Sequence, residues 1–297
     1  CVSFQVMVTI AERALEFGAR PENSARSVLA TILSDSIVLL GGEIWLGDLI
    51  TLMEPFGYSD RLVRTSVFRL TSEGWLESDR VGRRSRYRLT GRARREFTVA
   101  EERIYRERGA EWSGDWTLVF TNLAELSGDQ RRLLDEHLRW AGFARLADGV
   151  QALPGDGVAS VTDLESRLTL SAPLAVASAR FDDLTPLLGN SRLSEMFGIA
   201  DAEARYAEFV TRYEMWDGTE VGTVDGCDAF VVRTMLVHDF RRAALVDPRL
   251  PADLLPEGWA GVSARRLAAS VYRAVERSAL RWLEDLTGRR AERLDRF

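Results

Sequence analysis

Arg61, Arg64, Thr65, Phe68 and Arg69 recur at steps of three and four residues, and Arg83, Arg84, Ser85 and Arg86 follow just beyond. On a helix the first set shares one face. Guanidinium groups interleaved with a hydroxyl and a phenyl ring have the chemistry of a duplex reader. Arginine bonds the O6 and N7 edge of guanine with two hydrogen bonds, while Thr and Phe touch the methyl of thymine. Arg64 and Thr65 are the leading base-contact candidates. The second set, beside Gly82, has the chemistry of a phosphate clamp, which fixes position and salt dependence more than base preference.

Charge supports a local site on an otherwise acidic body. The 297-residue chain has formal net charge −6, all 39 of its basic residues are Arg, and from Arg61 to Arg95 eleven Arg face only Glu73, Glu77 and Asp79. That local excess of eight leaves the rest of the chain at −14. A positive patch on a negative body is the electrostatic footprint of a nucleic-acid binder, whereas charge on solvated helix faces alone calls for no such segregation.

The elements needed to position these side chains can be placed in order. Val28, Leu29, Ile32 and Leu33 mark the buried stripe of a helix over about Ser24 to Leu40, stopped by Gly41-Gly42. Leu46, Leu49, Ile50 and Met53 predict a second helix ending before Pro55. Ser59 is an N-cap for a third, with Val63, Ser66, Val67 and Leu70 inward and the Arg-bearing face outward to about Glu73. Leu76 to Asp79 and Arg86 to Leu89 alternate in period two around the Gly82 turn, predicting a hairpin. Together these form a winged helix-turn-helix.

The stretches Val63-Arg64-Thr65-Ser66-Val67-Phe68-Arg69-Leu70, Glu73-Gly74-Trp75-Leu76 and Gly82 to Thr90 resemble the PaaX family of repressors of phenylacetic acid degradation. Trp116 to Val119 and Leu138 to Ala147 resemble its central domain. His238-Asp239-Phe240-Arg241-Arg242, Asp247 to Pro251 and Leu254 to Trp259 resemble its C-terminal domain. The resemblance implies a homodimeric repressor that leaves a palindromic operator on double-stranded DNA when it binds an aryl-acetyl coenzyme A thioester such as phenylacetyl-CoA. His238, Arg241, Arg242 and Trp259 lie in matched motifs and are the effector-binding candidates, offering cations for phosphate and an apolar slot for an acyl group. In the first of these motifs Asp239 stands where the family commonly has glutamate.

The remaining pattern predicts an α+β multidomain chain. We divide it into an N-terminal extension (1–23), a winged helix-turn-helix (24–90), a connector helix (91–111), a ferredoxin-like central α/β sandwich (112–183) and an all-helical C-terminal domain for effector binding and dimerisation (184–297). Thr90 caps the connector. Trp116, Leu118 and Phe120 alternate as a strand, Ser127 and Gln130 have capping-box spacing, Thr162 and Glu165 suggest a second capped helix, and Leu174 to Phe181 a final strand.

Catalytic signals are sparse. His137 and His238 stand in no metal-ligand spacing, and P-loop, GxSxG and dinucleotide fingerprints are absent. The alternative is a coenzyme-A- or metal-dependent enzyme, such as a nuclease on the ferredoxin-like domain, with Asp115 as a ligand; it rests on one carboxylate. We expect no enzyme activity, no cofactor and no resident metal. Cys1 and Cys227 give no disulfide framework, the first ten residues lack a basic leader, and no run has the length of a membrane span, so a cytoplasmic setting without membrane contact is expected.

Overall fold

A computed structural model describes residues 9–106, 112–181, 190–217, 221–294 and 296–297. Expectations falling on 1–8, on the end of the connector helix after Arg106 and on 182–189 lie outside the described residues. The chain divides into two compact units: Cys1–Arg106 with Tyr206–Leu245 and Ala260–Phe297, and Glu107–Arg205 with Val246–Trp259. The fold is mixed α+β with two small antiparallel sheets.

In the first unit, α1 (Ile10–Ala19) opens with a capping box between Thr9 and Glu12 and buries Ala14 and Phe17. Helix α2 (Ala25–Ile32), N-capped by Ser24, buries Val28, Leu29 and Ile32. The expected single helix to Leu40 is instead interrupted, passing into a π turn (Leu33–Ile37) and a 3-10 turn (Val38–Leu40). The π turn carries Asp35, whose carboxylate and main-chain oxygen both reach buried arginines, as described below. Gly41 and Gly42 stop the run at φ +82° and +75°, a conformation that glycine adopts without strain.

Strand β1 (Glu43–Trp45) follows, then α3 (Leu46–Met53) and α4 (Asp60–Ser72), and then β2 (Leu76–Val81) and β3 (Arg84–Leu89). The sheet order is β1-β3-β2, antiparallel throughout. Helix α4 ends at Gly74 (φ +76°), where the Gly74 amide donates to Thr71 O and the Trp75 amide to Leu70 O, a Schellman closure that turns the chain directly into β2. Thr90 accepts from Ala93 N and starts α5 (Gly91–Tyr105).

The second unit holds β4 (Asp115–Thr121), α6 (Gly128–Trp140), β5 (Ala144–Ala147), β6 (Val150–Pro154), α7 (Val158–Arg167) and β7 (Leu174–Arg180). Its antiparallel sheet has the order β5-β6-β4-β7, the β-α-β-β-α-β arrangement of a ferredoxin-like sandwich. Leu134, Leu138, Val161 and Leu164 from the two helices meet Val119, Phe143 and Leu174 in one core.

The strand expected at Trp116, Leu118 and Phe120 is β4, in which Thr117 and Val119 are buried and Phe120 is 41% exposed. Alternation in a strand that is apolar on both faces does not say which face is covered. Thr162 is no cap; it lies inside α7 and donates to Val158 O, and the Val158 amide is met instead by the side chain of Asp156.

After residue 189, α8 (Asn190–Phe197) and α9 (Ile199–Tyr213) follow, then α10 (Gly226–Ala244) and α11 (Ala260–Thr287). Helix α10 is buried around most of its circumference over Ala229 to Phe240, and α11 packs along it in the first unit.

Candidate nucleic-acid interface

Helix α4 is set against its unit by Val63, Ser66, Val67 and Leu70, each nearly inaccessible. At about 100° per residue the opposite side carries Arg61, Thr65, Phe68 and Arg69. Phe68 is 72% exposed. On this face the phenyl ring lies open among polar side chains, where it is accessible to a partner. Ser59 Oγ accepts from Leu62 N, satisfying one of the first-turn amides. Thr65 Oγ1 donates to Arg61 O.

Arg64 pairs with Asp60 one turn earlier, at 2.5 Å, with both side chains 55% exposed. An exposed i,i+4 pair stabilises by roughly 0.3–0.5 kcal/mol, so it yields readily to a guanine edge or a phosphate. Among the described residues no ion pair is seen at Arg61 or Arg69.

The hairpin turns on two residues, Gly82 (φ +62°) and Arg83. Arg83 and Arg84 are exposed, and the Arg84 guanidinium lies 4.6 Å from the Trp45 ring centroid. Arg86 is half-buried and shared: 3.4 Å to Asp79, 3.8 Å to Glu43 and 5.8 Å to the Trp45 ring. Arg88 is bound to Glu43 (2.7 Å), Asp79 (3.0 Å) and Glu77 (3.3 Å). Bonds from Arg88 and then Arg289 hold the Glu43 carboxyl below its ordinary range. Ser85 is partly buried on β3. Of the hairpin residues singled out from the sequence, Arg83 and Arg84 therefore form the outward tip, and Arg86 belongs to its base.

His238, Arg241 and Arg242 come together on α10, facing α2 and the segment before it. His238 is fully buried; its Nδ1 lies 2.8 Å from Thr31 Oγ1 and its Nε2 3.2 Å from Asn23 Oδ1. Asn23 Nδ2 donates to Phe17 O, and its Oδ1 accepts from Arg242, so that oxygen accepts from Nε2–H and leaves Nδ1 as an acceptor facing the Thr31 hydroxyl, whose single proton is shared between Nδ1 and Ser27 O at 3.2 Å. Burial, then Arg241, Arg242 and Arg20, hold the imidazole well below its usual pKa, in the neutral form. Arg241 reaches Ser27 O and Oγ, and burial pulls it down to about 10. Trp259 belongs to the other compact unit and is buried there.

Sequence reasoning missed two features. Asp35 is buried with Arg233 (2.8 Å) and Arg296 (3.1 Å), and Tyr105 OH donates to it at 2.7 Å. Burial pushes its carboxyl up, but Arg233 and Arg296 more than reverse this and hold it low. The signal was available: Asp35 extends the Val28, Ile32 stripe, and Arg233 interrupts an apolar run. The second is β1, three residues long, whose Ile44 and Trp45 are strand formers without enough length to show a period.

Asp115, offered as a metal ligand, pairs with Arg180 at 2.9 Å and accepts from Ser113. Among the described residues no group of three His, Cys, Asp or Glu could hold a metal ion, and no helix is long and apolar enough to cross a membrane.

Three family descriptions match in chain order: "PaaX-like protein" over residues 24–93, "PaaX protein central Cas2-like domain" over 109–187 and "PaaX-like protein C-terminal domain" over 197–285. The chain is also 33% identical over 270 residues to the transcriptional repressor PaaX of Escherichia coli (strain K12), covering 88% of this chain and 84% of that protein. The chain belongs to the PaaX family. The central match coincides with the β4 to β7 sandwich, so the family's Cas2-like domain is the antiparallel sheet and two helices described above. A solved structure, the uncharacterized protein Rv0674 from Mycobacterium tuberculosis, shares the fold at TM-score 0.56 and 23% identity, covering 86% of this chain and 97% of that one.

Proposed function

We propose that this member of the PaaX family is a DNA-binding transcriptional repressor whose reader is a winged helix-turn-helix, with α4 as recognition helix and the β2–β3 hairpin as wing. The observation that carries the reading is the outward face of α4, where exposed Arg61, Thr65, Phe68 and Arg69 surround the easily opened Arg64–Asp60 pair. Its 13 residues suit insertion in a major groove, with Arg61 and Arg64 in the first turns where a recognition helix meets base edges. Arg83 and Arg84 at the wing tip would grip backbone phosphate or the minor groove.

Membership beside a named repressor favours regulation over catalysis and, with operator DNA as target, a cytoplasmic setting. We read the protein as a homodimer on a palindromic operator, with the N-terminal extension, reader, connector, central sandwich and helical C-terminal region as its working parts. Its effector is an aryl-acetyl-CoA thioester, for which His238, Arg241, Arg242 and Trp259 remain the proposed contacts. Arg242, one-third exposed, is the member of that set best placed to meet a phosphate. Mobility shift with a fragment of the gene's own promoter, with and without phenylacetyl-CoA, tests this reading: a specific complex dissolved by the thioester supports it. A complex that ignores the thioester removes the effector class and keeps the repressor. Absence of any specific complex overturns both.

A further inference from the structure

The residues after α11 do not continue along that helix. Gly288, at φ +66°, ends it, and the tail then lies along the segment joining α2 to β1. The Glu292 amide donates to Leu39 O at 2.8 Å, and Arg289 reaches Leu40 O at 3.3 Å. The Ala291 amide donates to Glu284 Oε1, pinning the tail's start to the last turn of α11. Farther on, buried Arg296 binds both the main-chain oxygen and the carboxylate of Asp35, and the Phe297 ring packs at 5.1–5.5 Å against Tyr105, Tyr272 and Phe240. The tail is thus fixed on both sides of Arg289.

Arg289 spends its second nitrogen on Glu43 Oε2, at 2.6 Å. The other oxygen of Glu43 accepts from Arg88 Nε at 2.7 Å, and Arg86 lies 3.8 Å from Oε2. Arg86 and Arg88 sit on β3, directly below the Arg83–Arg84 tip, and are also tied to Asp79 on β2. One carboxylate therefore joins the C-terminal tail to two arginines of β3 at the base of the hairpin. We propose that Arg289 is a positioning residue for the wing: the anchored tail fixes Glu43, Glu43 fixes Arg86 and Arg88, and the tip is presented in one orientation. The proposal rests on the reading of the hairpin as a DNA-contacting wing.

The physical gain is pre-organisation. Beyond Trp45, which pairs with Arg86, the wing continues as β2 and β3 alone; such a two-stranded end is only marginally ordered by its own hydrogen bonds, and a tip that samples several directions must be ordered when DNA binds. Exposed ion pairs taken singly contribute little, but this carboxylate is 21% exposed and engaged by a side chain whose neighbours on the tail are themselves anchored. The expected cost of losing Arg289 therefore falls on DNA affinity more than on stability.

The experiment is a double-mutant cycle on the full chain, read as affinity for a duplex from its own promoter. Arg289→Ala should weaken binding about 3- to 10-fold, with Arg289→Lys, which keeps the charge, recovering most of it. In the Arg83→Ala/Arg84→Ala background, adding Arg289→Ala should cost nothing further, because there is no tip left to orient. Hydrogen exchange of the β2 and β3 amides should also quicken in Arg289→Ala while exchange in α10 stays as in the parent. An undiminished affinity in Arg289→Ala, or a loss that simply adds to that of Arg83→Ala/Arg84→Ala, overturns the proposal and leaves the wing reading standing. Should Arg83→Ala/Arg84→Ala itself bind as the parent does, the wing reading fails and the proposal fails with it.

Discussion

Arg233 and Arg296 in the interior, and Arg61, Arg69, Arg83 and Arg84 on the surface, carry the same guanidinium group to opposite ends. The interior pair is nearly inaccessible and closes on Asp35 from two sides, with Tyr105 completing the carboxylate's bonds. The surface set is exposed, with Arg84 resting on an indole and the others among the described residues making no ion pair. In a chain without Lys, residue type alone does not separate structural cations from ligand-binding ones. In these two sets the difference is whether a carboxylate has been supplied, and Arg64, exposed yet paired with Asp60, lies between them. Arg86 and Arg88 also stand between the two sets: they lie beside the hairpin tip but are already bound to Glu43 and Asp79.

The sharpest way to break this comparison is at Asp35. Removing one partner of a buried ionic cluster leaves uncompensated charge, so Asp35→Ala should lower unfolding free energy by roughly 3–5 kcal/mol in urea denaturation. A loss below about 1 kcal/mol would mean that the interior arginines find water or other partners. The surface set should respond the other way round. Arg61→Ala should stay within about 0.5 kcal/mol of the parent in stability. Its operator binding should weaken by about 1–3 kcal/mol if it reads a base, or its salt slope should fall by about one if it holds a phosphate. Unaltered binding on both counts would move the recognition face elsewhere on α4.

Ser59→Ala separates support from contact. Loss of the Leu62 amide's acceptor should cost about 1 kcal/mol of stability, measurable as a lower denaturation midpoint. A stability change near zero would show the cap to be redundant.

A pH series probes the interior from a different side. His238 is held neutral by burial and by Arg241, Arg242 and Arg20, so its folded pKa lies below its unfolded value near 6.5. The unfolded state then binds the extra proton, and stability should decline as pH falls from about 6.5, at a slope no steeper than one proton. His238→Gln should flatten that part of the profile; an identical slope in the variant would assign the proton to another group.

The segment from α2 to α5 was largely legible because most of its elements are long enough to show a period and are punctuated by residues with fixed roles. Ser59 and Thr90 cap where expected, and Gly41-Gly42 and Gly82 turn where expected. The capping box at Ser127 and Gln130 is likewise present, whereas the same spacing at Thr162 and Glu165 falls inside a helix that begins earlier. Capping spacing is a local pattern, and Asp156-Gly157 made the stronger start. Glu43 and the tail contacts were illegible for another reason. The bonds from the tail to the segment between α2 and α3 span more than 240 residues, as from Arg289 to Glu43, and no window on the sequence brings the two together. His238 was picked as a ligand contact on its type and motif; its two ring nitrogens are engaged by Thr31 and Asn23, and its neighbour Arg242 is the more open group.

The central claim, that the surface arginines are kept for a nucleic acid, is tested most directly by fluorescence anisotropy of the full chain on its own promoter duplex at two salt concentrations, parent against Arg61→Ala/Arg69→Ala. Specific binding that falls steeply with salt in the parent, and a slope smaller by about two in the variant, is the predicted result. Equal affinity and equal slope in parent and variant, or no specific binding at either salt, would contradict it.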